Sequence, residues 1–204
     1  MDIKVKIDGL KEALDSLDTR KLNAAVSSAL NKVAAQAKTA ASKKIRETYN
    51  IPASELSRCL RVASKASGDN LKTTIIGTGK GSALSKFGAK QEGVVANKKG
   101  FRYTRKATKG TKGNRYGGIV TVEVTRGKRK KVSGKPKSFL AKMETGHIGV
   151  FAREGEKRLP IKELIGPGIA TLLGSHKVFE TVEKVVDDKF QSIFDHEVEY
   201  RSKK

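Results

Sequence analysis

KSFLAKMETGHIGVFAREGEKRLPIKELIGPGIATLL, residues Lys137 to Leu173, is the stretch that decides the fold. It is apolar, punctuated by turns and sparing in lysine, in a chain otherwise crowded with lysine. Ile148, Val150 and Ala152 alternate with Gly149 and Phe151, the two-residue period of a strand. Glu154-Gly155-Glu156-Lys157 supplies a charged turn with glycine at its centre. Leu159-Pro160-Ile161 then resumes an extended run, with Leu159 and Ile161 on one face. Ile148 to Lys162 therefore reads as a β-hairpin. Proline has no N–H to give to a ladder, so the strand holding Pro160 is expected at an edge or beside a bulge. Phe139-Leu140-Ala141 begins a further strand ahead of the hairpin. Gly166-Pro167-Gly168 ends the sheet and redirects the chain into helix over Ile169 to Leu173.

Beyond that helix, Gly174-Ser175 is a break at which Ser175 can cap the last helix. Val178, Val182, Val185, Lys189 and Ile193 are spaced for one helical face, with Phe179, Val186, Phe190 and Phe194 beside it. The acids Glu180, Glu183, Asp187 and Asp188 lie mostly off this stripe, and the tail from Tyr200 is expected to fray. At the other end of the chain, Ile3, Val5 and Ile7 alternate with lysines as a short strand that Asp8-Gly9 ends, and Leu10 to Leu17 makes a helical turn or two. Leu22, Val26, Leu30, Val33, Ala37, Ala40 and Ile45 recur three or four apart, which predicts a long helix capped by Asp18 or Thr19. It should stop near Tyr49-Asn50, because Pro52 restricts the residue before it. Ala53 to Val62 reads as a second, short helix, Ser67 to Asn70 as a turn, Leu71 to Thr78 as a strand, and Val94-Val95 as part of another. Ile119 to Thr125 is the clearest strand, with Val120, Val122 and Val124 on one face. The class is α+β. A mostly antiparallel sheet drawn from residues near 3–7, 71–78, 119–125, 139–143, 148–152 and 159–162 is covered on one face by the two long helices. Residues 1–204 read as a single domain with a basic, loop-rich insertion at about 80–137.

The 204 residues carry a formal net charge of +22. Such an excess implies a polyanion or a strongly acidic protein as neighbour. Fifteen cations against one acid, Glu123, lie between Lys98 and Lys137. They include Lys98, Lys99, Arg102, Arg105, Lys106, Arg126, Lys128, Arg129, Lys130 and Lys131. The surrounding Gly, Lys and Thr bury too little apolar surface to fold alone, so two mobile basic loops are expected on either side of the Ile119–Thr125 strand. Three readings stand open for them: contact with DNA phosphates, docking on acidic surfaces of neighbouring subunits, or simple solvation, which self-repulsion disfavours at this density. With few aromatics and no Trp, a DNA contact would follow the backbone and ignore sequence. One cysteine, Cys59, leaves no intrachain disulfide and fits a reducing compartment. No apolar run is long enough for a membrane span, and the charged, alternating start does not read as a signal peptide.

Catalytic, metal and cofactor constellations do not assemble. His147, His176 and His196 have no ligand spacing with one another or with Cys59. His147 reads as a turn residue whose ring bonds backbone, against a catalytic base for which no nucleophile or carboxylate stands nearby in sequence. Asp187-Asp188 reads as a solvated helix face in preference to a metal site. Gly77, Gly79 and Gly81 lack the Gly-Lys-Ser/Thr of a phosphate loop and read as a flexible turn. Arg153 and Arg158 flank the hairpin turn, where they can meet Glu154 and Glu156 or an acidic neighbour.

Gly146-His147-Ile148-Gly149-Val150-Phe151-Ala152-Arg153, then Arg158-Leu159-Pro160-Ile161, then Gly166-Pro167, resembles the signature of the minor tail protein Z-like family of tailed bacteriophages. The long helix before and the helix after suit that family, so the likeness extends over most of the chain. The resemblance implies a structural virion protein that is not an enzyme and takes no cofactor. It implies tail completion and head–tail joining at the head-proximal end of the tail. It further implies a ring of identical copies, six by the symmetry of the tail, against the tail terminator, the tube and the head–tail connector, with the genomic DNA end in the lumen. The protein would be assembled in the host cytoplasm and reside in the neck of the virion, and the signature residues would form the subunit contact. Lys98 to Lys137 is longer and more basic than the family pattern, so no role is carried over to it. The rival reading, from charge alone, is a sequence-nonspecific nucleic-acid-binding protein.

Overall fold

Asp18 opens the first long helix: its carboxylate accepts a hydrogen bond from the Lys21 amide at 2.7 Å, satisfying an N–H that has no partner within the helix. The computed structural model describes residues 3–9, 13, 17–79, 81–97, 100–104, 108–109, 115–132, 137–155 and 157–203, with the backbone alone described at 97, 103, 108, 109, 115 and 116. It is an α+β protein of long helices and small antiparallel sheets. Its contacts divide it into two compact units, one of residues 1–45, 53–79 and 169–204, the other of Arg46–Pro52 and Lys80–Gly168.

In the first unit, α1 (Thr19–Thr48, its last turn belonging to the second unit) buries Leu22, Ala25, Val26, Ala29, Val33, Ala34, Ala37, Ala41 and Ile45. Small alanines on this face let neighbours approach closely. A seven-residue helix, α2 (Ala53–Cys59), follows. The short helix expected to reach Val62 stops here. Leu60 to Ser64 is instead a strand, β1, paired antiparallel with β2 (Thr74–Gly77), because Val62 finds β-branched Ile75 opposite it. Asn31 on α1 holds the outer end of this hairpin, donating to the Ala66 carbonyl at 2.9 Å and accepting from the Ala66 amide at 2.8 Å. Gly77 lies so close to α3 (Ile169–Leu173) that a Cβ there would stand 3.0 Å from the Ala170 backbone.

The last helix, α4 (His176–Ser202), starts at Ser175 as expected, but the serine hydroxyl makes no cap. It donates backwards to the Leu172 carbonyl at 2.7 Å, while the Ser175 carbonyl receives the Val178 and Phe179 amides. The buried stripe of α4 is Val178, Val182, Phe190, Phe194 and Glu197, with Val186 half-buried; Lys189, placed on the stripe by sequence, is exposed. Leu22, Ala25, Val26, Ala29 and Val33 of α1 meet Phe190 and Phe194 in one core, the two rings stacked 6.1 Å apart. Residues 3–7 are not the strand expected. Val5 and Ile7 do pack against this core, but the Gln191 side chain takes the place of a strand partner, accepting from the Asp8 amide at 3.2 Å and donating to its carbonyl at 3.1 Å. Of the helical turn expected over 10–17, Ala13 is helical and bonded to Gly9, and residues 10–12 and 14–16 lie outside the described residues.

In the second unit the strands are two to six residues long, and they form several ladders in place of one sheet. β3 (Ser82–Ala83) and a 3₁₀ turn at Leu84–Phe87 lead to β4 (Lys90–Gln91), then the hairpins β5 (Val94–Asn97) with β6 (Gly100–Tyr103) and β7 (Thr108–Lys109) with β8 (Arg115–Tyr116). β9 (Val120–Thr125) sits between β10 (Lys128–Lys131) and β4. β11 (Phe139–Lys142), β12 (Ile148–Arg153) and β13 (Ile161–Glu163) form the second three-stranded ladder, and β14 (Ile165–Gly166) pairs with β3. Glycines punctuate the strands: Gly88 and Gly93 have positive φ, which turns the chain between ladders. Phe87, Val120, Val122, Val150 and Phe151 are buried. The valine face expected for β9 is the buried one at Val120 and Val122. Lys128 to Lys131, expected as loop, is a strand because the two-residue turn Arg126-Gly127 folds it back on β9, with Gly127 at φ 72°.

Candidate functional site

The hairpin of β12 and β13 is as the sequence indicates, in the register Phe151↔Glu163, Ala152↔Lys162 and Arg153↔Ile161. Pro160 stands just before β13, where no ladder N–H is required of it, and its carbonyl accepts from the Glu154 amide at 3.2 Å across the turn. Gly146, at φ 82°, makes the preceding turn, where the Met143 amide donates to the His147 carbonyl at 2.8 Å. The His147 ring meets a carboxylate and not backbone: its Nε2 lies 2.7 Å from Glu163 Oε1, with the edge of the ring toward Phe151 at 6.4 Å. Glu163 is sixteen residues away and comes beside His147 only through strand pairing. Gly149 lies beneath both partners. A Cβ there would stand 2.7 Å from Glu163 Oε1 and from the Phe151 ring, so glycine is required for this packing.

Val150 and Phe151 are the buried anchors of the hairpin. The Arg153 guanidinium stacks 5.3 Å above the Phe139 ring, a cation–π contact, and Phe139 is 6.2 Å from Phe151. Arg158 is exposed in the turn. Glu156, one of the acids offered to these arginines, lies outside the described residues. Gly166 is pressed against Phe87, 2.8 Å from where its Cβ would be, and Pro167 follows it toward α3. Around this framework Ile148, Leu159 and Ile165 remain exposed, Leu159 and Ile165 at 64 %. The stretch from Gly146 to Pro167 thus has a locked interior and a rim that includes apolar groups turned outward.

The second cluster is the basic strand. β10 is an edge of its ladder, and all four of its residues are exposed. Two arginines of the run are used internally. Arg129 donates to the Gly88 carbonyl at 3.0 Å and to Glu123 at 3.2 Å, and Arg126 to the Arg46 carbonyl at 2.5 Å. Lys128, Lys130 and Lys131 enter no ion pair among the described residues, nor does Lys90, which stands in register with Thr121 and Lys131 across the ladder. Arg102 is exposed on β6, opposite Val95. Lys98, Lys99, Arg105 and Lys106 lie outside the described residues. Among the described residues no three His, Cys, Asp or Glu are grouped for a metal, and no helix is long and apolar enough to cross a membrane.

A hairpin with apolar groups turned outward and a row of exposed cations are contact surfaces, the equipment of a structural protein that works by being held among other macromolecules. The model of the family described as prophage minor tail protein Z (GPZ) matches residues 7–203, nearly the whole chain, and the chain belongs to that family. It is a bacteriophage structural tail protein, a component of the virion. No curated protein and no solved structure matches the chain.

Proposed function

We propose that the protein completes the tail at its head-proximal end and joins tail to head, assembled there as a ring of identical copies. The observation that carries this reading is the family match across residues 7–203. Six copies fit the symmetry of a tail, and the tail terminator, tube and head–tail connector are the neighbours such a ring would meet. The subunit contact is built on the signature residues, Gly146 to Arg153, Arg158 to Ile161, and Gly166-Pro167. The exposure of Ile148, Leu159 and Ile165 in this stretch supports that choice, because apolar side chains left in water favour a partner. The segment of about 80–137 enters the reading as a basic insertion in an otherwise single domain, turned to the genomic DNA end in the lumen or to the next ring. Assembly in the host cytoplasm and residence in the neck follow from the same reading.

Deleting the gene should leave heads and tail tubes present but few joined, infectious particles, as seen by electron microscopy and plaque counts. Normal yields from the deletion would overturn the reading. A second function, nucleic-acid binding without sequence preference, is favoured by one observation, the exposed lysines of β10 and β4, which enter no ion pair among the described residues.

A further inference from the structure

We propose that Lys128, Lys130 and Lys131 on the edge strand β10, with Lys90 beside them on β4, form a phosphate-binding ridge for duplex DNA, and that Arg126 and Arg129 are its struts and not its contacts. The proposal rests on the reading above only in taking DNA as a neighbour of this protein. The register slips between Lys128 and Lys130, so that Lys128 stands opposite Thr125, Lys130 opposite Val122 and Lys131 opposite Thr121. Lys131 shares its side with Lys90, since Lys90↔Thr121↔Lys131 is one row across three strands. The two lysines of that row are about 10 Å apart at Cα, twice the strand spacing. Arg129 lies across Thr121 and Glu123 to reach Gly88, and the second Glu123 oxygen accepts from the Gly127 amide at 3.0 Å in the turn. The one acid of the basic segment is thereby neutralised internally, and the lysines keep their charge for a partner.

Three readings compete for these lysines. Lysine on an edge strand wards off another strand, but one or two are enough for that, and here four consecutive cations stand beside Lys90. An acidic protein would be a second occupant. Protein interfaces, however, are depleted in lysine and anchored by apolar and aromatic groups, and β10 offers none of these. Phosphate needs only a point charge on a flexible stem, which is what lysine supplies. A duplex presents a dense row of negative charge that such a ridge can follow irrespective of sequence.

The test measures binding of the full chain to short duplexes of unrelated sequence over a series of salt concentrations. Each lysine that neutralises a phosphate adds about 0.9 to the magnitude of the log–log slope. Replacing Lys90, Lys128, Lys130 and Lys131 together by Gln should lower that magnitude by roughly 3 to 4, and the four Lys→Arg changes should preserve it. Arg129→Ser should lower Tm with little change in slope. Circular dichroism verifies the fold of each variant, and the pairs K90Q/K131Q and K128Q/K130Q, each expected to remove about half of the effect, serve if the quadruple variant fails to fold. An unchanged slope in the Gln variants overturns the assignment. So does an unchanged slope accompanied by lost association with purified tail tubes, which would give the ridge to an acidic protein. Particle yield from the deletion strain is a separate readout, so failure of the tail-completion reading and failure of the ridge are told apart.

Discussion

At the scale of the residue, Glu197 is the most heavily committed charge described in the protein. Only 4 % of it is exposed, yet it receives Lys32 from α1 and Arg201 from its own helix. Burial by itself would raise its carboxyl, but hydrogen bonds from Lys32, Arg201 and Ser28 outweigh that and bring it from 4.5 down to about 2. A carboxyl depressed by folding stabilises above its unfolded pKa and loses that contribution as pH falls through its folded pKa. Glu197 should therefore contribute on the order of 3 kcal/mol at neutral pH, lost progressively between pH 4.5 and 2. Glu197→Gln should lower Tm at pH 7 and flatten the fall of Tm across that acid window; parallel profiles for the two proteins would show that the triad adds nothing. Gly149 makes a second residue-scale case. Gly149→Ala forces its methyl against the Phe151 ring and Glu163, at a cost of about 1–3 kcal/mol. It should also release the His147 ring from Glu163, visible as a change in the His147 imidazole resonances by NMR.

At the scale of the element, α4 is read by its buried side. Val182 is buried within the first unit, so Val182→Asp should cost on the order of 3–5 kcal/mol through an unpaired buried charge, measured by chemical denaturation. An unaltered denaturation midpoint would place that face in water. Phe190 and Phe194 belong to the same seam, spaced by four residues, and sequence alone shifted the seam to include Lys189. The error is physical: over a helix of 27 residues a three-or-four rule tolerates drift, and only the partner helix decides which drift is buried. Elements whose signal is local were legible: α1, α4, β9, and the hairpin of β12 and β13. Those held by distant partners were not. β10 reads as part of a mobile basic loop until β9 supplies its ladder, and residues 3–7 read as a strand until Gln191 is seen bonded to Asp8. In the candidate site, glycine and proline positions could be read directly because they answer to backbone geometry. The His147–Glu163 pair and the use of Arg129 on Gly88, 41 residues away, depend on tertiary placement and leave no trace in spacing.

At the scale of the whole molecule, the +22 charge bears on how copies associate. Like-charged copies repel, so a ring forms only where apolar contact or a bound polyanion offsets that repulsion. Self-association of the purified protein should therefore strengthen with salt, as screening relieves the repulsion between copies. Sedimentation across a salt series checks this, and a shift toward monomer with added salt would instead mark opposite charges as the contact. Leu159→Asp, at the exposed tip of the hairpin, should weaken association without lowering Tm, which separates a contact residue from a packing residue.

Gln91 carries a consequence of a different kind. Its buried side chain donates to the Gly118 carbonyl at 3.1 Å and accepts from the Leu140 amide at 3.0 Å, so a strand of one ladder grips the first strand of the other. Among the described residues no backbone ladder joins the two three-stranded ladders of the second unit, and the Gln91 amide links them. Cooperativity between them should hinge on it: in Gln91→Leu the amides of β11 and β12 should exchange with deuterium on their own schedule, while in the parent they open together with those of β9.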